Sequence, residues 1–327
     1  MLGGDLTPGM MIAGSILMGR ALAPIDQMIN GWKGFSGART AKARLEELLT
    51  AIPAEEPHMP LPKPKGRLAL EGVTAAPPGQ KLATLRDINL TIAKGEHIAI
   101  VGPSASGKST LARVALGIWP SQFGCVRLDG ADITQWNRMA QGPHIGYLPQ
   151  DIELFDGTIS ENIARFDEVD PQAVVLAAQR AGVHEMILEQ PNGYDTWLSH
   201  GGNALSAGQR QRIGLARALY GQPVLVVLEE PDANLDDAGE HSLAHCLVRL
   251  RQEGTTALII THRSLLLRNV DRVLVLKEGQ IVSLKPPTRI APVTRMTADG
   301  GRPVTPQRVT SLKPSARGRN GGEETQS

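Results

Sequence analysis

The chain has 327 residues, with 34 basic against 33 acidic side chains, 41% hydrophobic and 3% aromatic residues. This length accommodates one large or two modest domains with a real core, and the near-neutral balance excludes a strongly basic nucleic-acid binder. Two distant cysteines, Cys125 and Cys246, exclude a disulfide scaffold and a cysteine-rich zinc site and fit a reducing compartment.

The longest uncharged apolar run is Leu6 to Gly19, closed by Asp5 and Arg20. It lacks a basic leader, making a poor signal peptide, and as a charge-free run it is too short to cross a bilayer alone. Residues Met10 to Ile29, interrupted by Pro24, predict a kinked apolar helix. A second helix is expected over Ala38 to Ile52, where Leu45, Leu48, Leu49 and Ile52 share one face. A proline-rich linker follows at 53–66, which cannot be helical and need not pack.

From Arg67 the pattern changes. Arg67–Val73 and Leu85–Ile92 alternate like half-buried strands. His97–Val101, Val224–Leu228 and Ala257–Ile260 are continuous apolar runs, as in a buried parallel sheet. Helices are expected at Lys108–Leu116, Ala207–Tyr220 and Ala238–Arg251, and final strands at Arg272–Leu276 and Gln280–Ser283. This alternation predicts an α/β core with a mostly parallel central sheet. The stretch from Asp151 to Leu205 reads as an inserted helical subdomain, and 286–327 as a disordered, weakly basic tail.

Residues Gly102 to Ser109 match GxxxxGK[ST] between a buried strand and a helix, the setting of a phosphate-binding loop. The backbone N–H groups and helix N-terminus attract a polyphosphate. Gly102, Ser104, Ser106, Gly107, Lys108, Ser109 and Thr110 are its candidate residues, with Lys108 reaching the β/γ-phosphates and Ser109 offering a hydroxyl to Mg²⁺. His241 and His245 stand at i, i+4, but with no third ligand they read as a solvated helix face.

The segment from Leu205 to Asp236 resembles the signature and Walker B regions of ABC-transporter ATPases. LSAGQ at Leu205 to Gln209 stands where that family has LSGGQ, with Ala207 replacing a glycine. The resemblance implies a P-loop NTPase fold of ABC type with an antiparallel β subdomain, and two ATP molecules sandwiched in a homodimer. Ser206, Gly208 and Gln209 would close the partner's site. It implies Gln150 as the Q-loop glutamine, Glu229 and Glu230 as the Walker B and catalytic carboxylates, Asp236 in the D-loop and His262 as the switch histidine. ATP and Mg²⁺ are the implied cofactors, the metal lying by Ser109, Gln150 and Glu229. Water would attack the γ-phosphate, with Glu230 orienting it and His262 holding the geometry.

Three positions depart from the family. Glu229 replaces the usual aspartate, and its longer carboxylate alters the metal's surroundings. No aromatic follows the first strand to stack on adenine, leaving Pro77. Ser199 and His200 replace Gly-Glu before the signature.

The segments His144 to Phe166 and Asn192 to Arg212 narrow the resemblance to exporter ATPases of bacterial type I protein secretion. The implied partners are an exporter transmembrane domain, a periplasmic adaptor, an outer-membrane channel and a secreted protein, at the cytoplasmic face of the inner membrane, with no nucleic acid. Residues 1–52 resemble the end of a last membrane helix and its cytoplasmic extension, and 67–285 the nucleotide-binding domain, so the chain reads as a truncated half-transporter. A catalytically weakened ATP-dependent dimerisation switch, a non-functional fragment, and an exporter of lipid or peptide cargo stay open. A single phosphate loop and a single signature argue against a two-cassette ABC ATPase acting on ribosomes or DNA.

Overall fold

The computed structural model describes residues 8–51, 61–199 and 201–287. Residues 1–7 and Ile52 of the expected N-terminal segment, residues 53–60 of the expected linker, His200 and most of the expected tail lie outside the described residues.

Helix α1 runs unbroken over Pro8–Ala51, where the sequence predicts two helices. Beyond Pro24 no proline interrupts it. Each of Gly31, Gly34 and Gly37 costs a helix only about 1 kcal/mol. Trp32 and Phe35, at i, i+3, bring their ring centroids to 5.8 Å across the interval. Single charges at Arg20 and Asp26 do not end the apolar character, and the helix is long and apolar enough to cross a membrane by length and composition. The charge-free run from Leu6 to Gly19 therefore understates it.

The next elements are β1 (Leu68–Ala75), β2 (Leu85–Ile92), β3 (His97–Val101), α2 (Lys108–Ala115), β4 (Phe123–Leu128), β5 (Ala131–Asp132), α3 (Arg138–Gln141) and β6 (Ile145–Leu148). Then come β7 (Gly157–Thr158), α4 (Ile159–Ile163), α5 (Pro171–Arg180), α6 (His184–Leu188), β8 (Trp197–Leu198) and α7 (Ala207–Leu219). The described chain ends with β9 (Leu225–Glu229), α8 (Asp237–Gln252), β10 (Thr256–Ile260), α9 (Ser264–Leu267), β11 (Arg272–Lys277) and β12 (Gln280–Lys285).

The central sheet has the order β12-β11-β3-β10-β9-β6. It is parallel from β11 to β6, and β12 closes its edge antiparallel. The residues of β3, β9 and β10 are all buried, as their unbroken apolar runs require. A second, antiparallel sheet, β2-β1-β4-β5, packs its alternating apolar face into the same core: Leu68, Leu70, Ile88 and Leu90 join Leu111, Val227 and Leu258. The mostly parallel sheet, antiparallel subdomain and intervening short helices match the fold expected from the sequence. In the 151–205 interval α4, α5 and α6 are joined by a small β7-β8 ribbon.

The end of the proline-rich segment does pack. The Asp129 carboxylate accepts hydrogen bonds from the backbone N–H groups of Lys65, Gly66 and Arg67. Gly66 is buried at φ +101°, and a Cβ there would lie 2.7 Å from the Val224 carbonyl. Composition signals a linker, but a carboxylate from 62 or more residues away supplies its hydrogen bonds.

His97, at the start of β3, is fully buried, and its Nε2 donates to the Thr255 carbonyl at 3.1 Å. Burial depresses its pKa to about 4. The unfolded imidazole takes up a proton near pH 6.5 and the folded one does not, so stability holds above that pH and is lost as pH falls. We expect a loss of about 2 kcal/mol between pH 8 and pH 5 from this group. Urea unfolding of the wild type and His97→Gln at both pH values checks it, the variant showing the shallower slope.

Candidate nucleotide site

Four adjacent parallel strands, β3, β10, β9 and β6, bring their C-terminal ends to one edge of the sheet, the usual ligand edge of such folds. The candidate segments leave from these ends. Gly102 to Thr110 follow β3, Gln150 follows β6, Glu229 ends β9 with Glu230 next to it, and His262 follows β10.

The phosphate loop is built for close backbone approach. A Cβ on Gly102 would lie 2.1 Å from the Leu276 carbonyl oxygen. Gly107, at φ +100°, faces Leu85 Cδ2 at 2.9 Å by the same construction, and Ala105 also takes a positive φ of 62°. Lys108 is nearly buried, and its Nζ donates to the carbonyls of Gly102 and Pro103 at 2.9 Å each. Burial lowers its pKa, opposed by the charge of Glu230. Ser106 is buried with its Oγ unpartnered, Ser104 is exposed, Ser109 is half-buried at the opening turn of α2, and Thr110 is buried. A glycine cradle, an unpartnered hydroxyl and an ammonium at a helix start suit a polyphosphate.

Glu230 adopts φ +44°, a strained conformation for glutamate that costs on the order of 1 kcal/mol or more. Three hydrogen bonds impose it. Its N–H donates to the Ile260 carbonyl at 2.8 Å, and its own carbonyl accepts from Gln211 Nε2 at 3.0 Å and from the Ala233 N–H at 2.9 Å. Gln150 Nε2 reaches Glu230 Oε2 at 3.4 Å. Glu229 is buried, its Oε1 accepting from the Tyr147 hydroxyl at 2.5 Å. His262 is exposed on the loop after β10. That loop is pinned by Thr261, whose hydroxyl donates to the buried Asp232 at 3.0 Å and accepts from the Arg263 N–H at 3.1 Å. Burial raises the pKa of Asp232.

Ser206 caps α7. Its Oγ accepts from the Gln209 N–H at 3.2 Å, and Gln209 Oε1 accepts from the Ser206 N–H at 2.8 Å. Asp236 caps α8 through the Gly239 N–H at 2.8 Å. Gln150 thus bonds Glu230 and Lys108 feels its charge, whereas Ser206 and Gln209 bond each other on a separate helix end. Ala207 begins α7 and is not among the positive-φ residues. The site that needs glycine is Gly208, where a Cβ would lie 2.7 Å from the Asn234 carbonyl. Gly208→Ala is expected to displace Asn234 and destabilise by about 1–3 kcal/mol, and Ala207→Gly by no more than about 1 kcal/mol. Denaturant midpoints of the two variants compare them.

Sequence reasoning missed Tyr147, Gln211, Asp232 and Thr261. The available signal was a polar residue inside an apolar pattern, as for Tyr147 in β6 and for Gln211 on the buried face of α7. His241 and His245 are exposed, the former bonding the Asp237 carbonyl of its own helix. No cluster of three or more His, Cys, Asp or Glu side chains suited to a metal occurs among the described residues.

Fold and site together define a P-loop nucleotide-binding protein. Residues 85–233 match the family model described as ABC transporter, so the chain carries an ABC-transporter ATPase domain. It is 48% identical over 288 residues to the type I secretion system ATP-binding protein PrsD of Rhizobium meliloti (strain 1021), covering 88% of this chain and 50% of PrsD. It is 35% identical over 284 residues to the toxin RTX-I translocation ATP-binding protein of Actinobacillus pleuropneumoniae, covering 86% of this chain and 40% of that protein. A bacterial Atm1-family ABC exporter with ATP bound superposes with a TM-score of 0.66 at 27% identity, over 76% of this chain and 45% of the exporter. The chain thus spans about half the length, or less, of the curated relatives it matches.

Proposed function

We propose that this chain is the ATP-binding and ATP-hydrolysing part of an ABC exporter that powers type I protein secretion. The convergence of Lys108, Gln150 and Glu230 at the C-terminal edge of the parallel sheet carries the reading, and the likeness to PrsD supports the choice of transport system. In this proposal 67–285 is the nucleotide-binding domain, 1–52 a membrane-helix end with its extension, 53–66 a linker and 286–327 a tail. The domain works as a homodimer at the cytoplasmic face of the inner membrane. It is coupled to a transmembrane domain, a periplasmic adaptor and an outer-membrane channel that pass a secreted protein.

The phosphate loop binds ATP through its backbone N–H groups. Lys108 exchanges its two loop carbonyls for β/γ-phosphate oxygens and stabilises the charge that develops there. Glu230 accepts a hydrogen bond from the attacking water, with its backbone locked by Ile260 and Gln211 and its side chain steadied by Gln150. His262 contacts the γ-phosphate from the loop pinned by Thr261 and Asp232. Ser206, Gly208 and Gln209 of one protomer close the site of the other. The Ser109 hydroxyl, Gln150 amide and Glu229 carboxylate are hard oxygen donors suited to Mg²⁺ or its waters. Bound Mg²⁺ would neutralise phosphate charge during transfer.

One observation favours a second reading, a weakly hydrolysing ATP-dependent dimerisation switch: the carboxylate of Glu229 is engaged by Tyr147. Mg²⁺-dependent ATP turnover of the purified chain, with Lys108→Ala and Glu229→Asp, decides between them. Hydrolysis by the wild type, with ATP binding lost in Lys108→Ala, is the expected result. Undiminished ATP binding in Lys108→Ala overturns the site assignment. An inactive wild type restored by Glu229→Asp favours the switch. Copurification with an adaptor and an outer-membrane channel tests the partners.

A further inference from the structure

The Tyr147 hydroxyl meets Glu229, and the chemistry of ATP hydrolysis gives it no role. Tyr147 lies on β6 with its Cα opposite Val227 of β9, two residues before Glu229. Its Oη donates to Glu229 Oε1 at 2.5 Å. Glu229 is only 1% exposed, and a buried carboxylate is costly without hydrogen bonds. Tyr147 gives that carboxylate its one side-chain hydrogen bond among the described residues.

The tyrosine is itself held from behind. Arg113 of α2 donates from Nε to Tyr147 Oη at 3.5 Å, and the Arg113 guanidinium lies over the Trp119 ring at 4.7 Å. Helix α2 opens with Lys108 and Ser109, so the run Trp119–Arg113–Tyr147–Glu229 ties the phosphate-loop helix to the acidic end of β9.

Side-chain length makes the pair specific. Aspartate at this position would withdraw the carboxylate by one C–C bond, about 1.5 Å. Withdrawal along the line of the hydrogen bond opens the 2.5 Å separation to as much as about 4 Å, outside hydrogen-bond range. The length of Glu229 and the position of the Tyr147 hydroxyl therefore fit each other.

We propose that Tyr147 is a positioning residue matched to Glu229. It holds the longer carboxylate by Oε1 and leaves Oε2 for the hydrated metal, so that the pair replaces the family's aspartate. This rests on the reading of Glu229 as the carboxylate on the Mg²⁺ side of an ATP site.

The test is a metal titration, read by binding instead of turnover. A fluorescent ATP analogue is bound without metal and then at rising Mg²⁺, and Mn²⁺ binding is followed by electron paramagnetic resonance. The proteins are wild type, Tyr147→Phe, Glu229→Asp and the double variant. Tyr147→Phe is expected to raise the half-saturating metal concentration about 10–100-fold, the size of one lost hydrogen bond to a charged group. Its metal-free nucleotide affinity should stay near that of wild type, while its thermal midpoint should fall, because the buried carboxylate loses its one side-chain hydrogen bond. In the Glu229→Asp background the same substitution should change metal affinity less than about twofold, because the shorter side chain does not reach the phenol.

An equal effect in both backgrounds overturns the matching, as does no effect with Glu229 present. Loss of metal-free nucleotide binding in Tyr147→Phe alone overturns it as well, assigning the tyrosine to the fold. Failure of wild type to bind nucleotide with or without metal overturns the underlying ATPase reading, and the metal-free titration separates the two failures.

Discussion

Replacing Glu230 with glutamine is expected to lower ATP turnover by about 10²–10⁴-fold while ATP binding is retained. The substitution is nearly isosteric, and the backbone around it is fixed independently of the carboxylate. The N–H of residue 230 bonds the Ile260 carbonyl, and its C=O is held by Gln211 and Ala233. What disappears is the acceptor for the water's proton and one negative charge close enough to raise the pKa of Lys108. An anionic ligand meets less repulsion once that charge is gone, so ATP affinity should rise or stay level. Single-turnover hydrolysis and equilibrium nucleotide binding on the same preparation separate the two effects. Turnover close to wild type would remove Glu230 from the role proposed for it. Gln211→Ala makes a useful companion. It releases the carbonyl of the strained residue without touching the carboxylate, and turnover should fall by a smaller factor, about tenfold.

The central sheet was legible because its strands are local and uniform. His97–Val101 coincides with β3, and the other runs predicted for this sheet lie within a few residues of the observed strands. A strand buried on both faces needs an unbroken apolar run, and that requirement is visible without knowing the partner strands. The candidate segments were legible for a similar reason. Glycine, lysine and serine at fixed offsets between a strand and a helix form a pattern within ten residues, and the Walker B, D-loop and switch segments each follow a recognisable strand.

Contacts that join distant parts of the chain were not legible. Tyr147 and Glu229 are 82 residues apart, and Asp232 and Thr261 are 29 apart. No offset rule links them, since the register that brings β6 beside β9 is a property of the assembled sheet. The anchoring of residues 65–67 on Asp129 was hidden for the same reason, and so composition alone signals a segment that need not pack. The continuity of helix α1 was hidden for a local reason. Pro24 and a cluster of glycines are turn residues by frequency, but their cost can be met in a long helix with apolar and aromatic neighbours at i, i+3.

Arg165 shows how much such long-range contacts can contribute, and its replacement should cost the domain a large share of its stability. The residue follows α4 at φ +62° and sends its guanidinium into the body of the domain. It donates to five carbonyls: Arg217, Ala218 and Tyr220 at the C-terminal end of α7, and Gly142 and Ile145 at the start of β6. The last carbonyls of a helix have no intrahelical partners and carry the negative end of its dipole, so a cation suits them. Its pKa is lowered mainly by burial and then by the nearby Arg217, so carbonyl dipoles are what hold its charge in place. The planar fork reaches several carbonyls at once, which an ammonium on a flexible stem cannot. Arg165→Met is therefore expected to destabilise the domain by about 3 kcal/mol or more, and Arg165→Lys to recover less than half of that. Because the five carbonyls belong to α7 and to the approach to β6, the loss should also loosen the helices between β6 and α7 from the sheet. Hydrogen exchange should then rise first in α4 and α5 and in the last turn of α7, with β3, β9 and β10 still protected. Uniform exchange throughout the domain would instead mean that Arg165 contributes to global stability without joining these two parts.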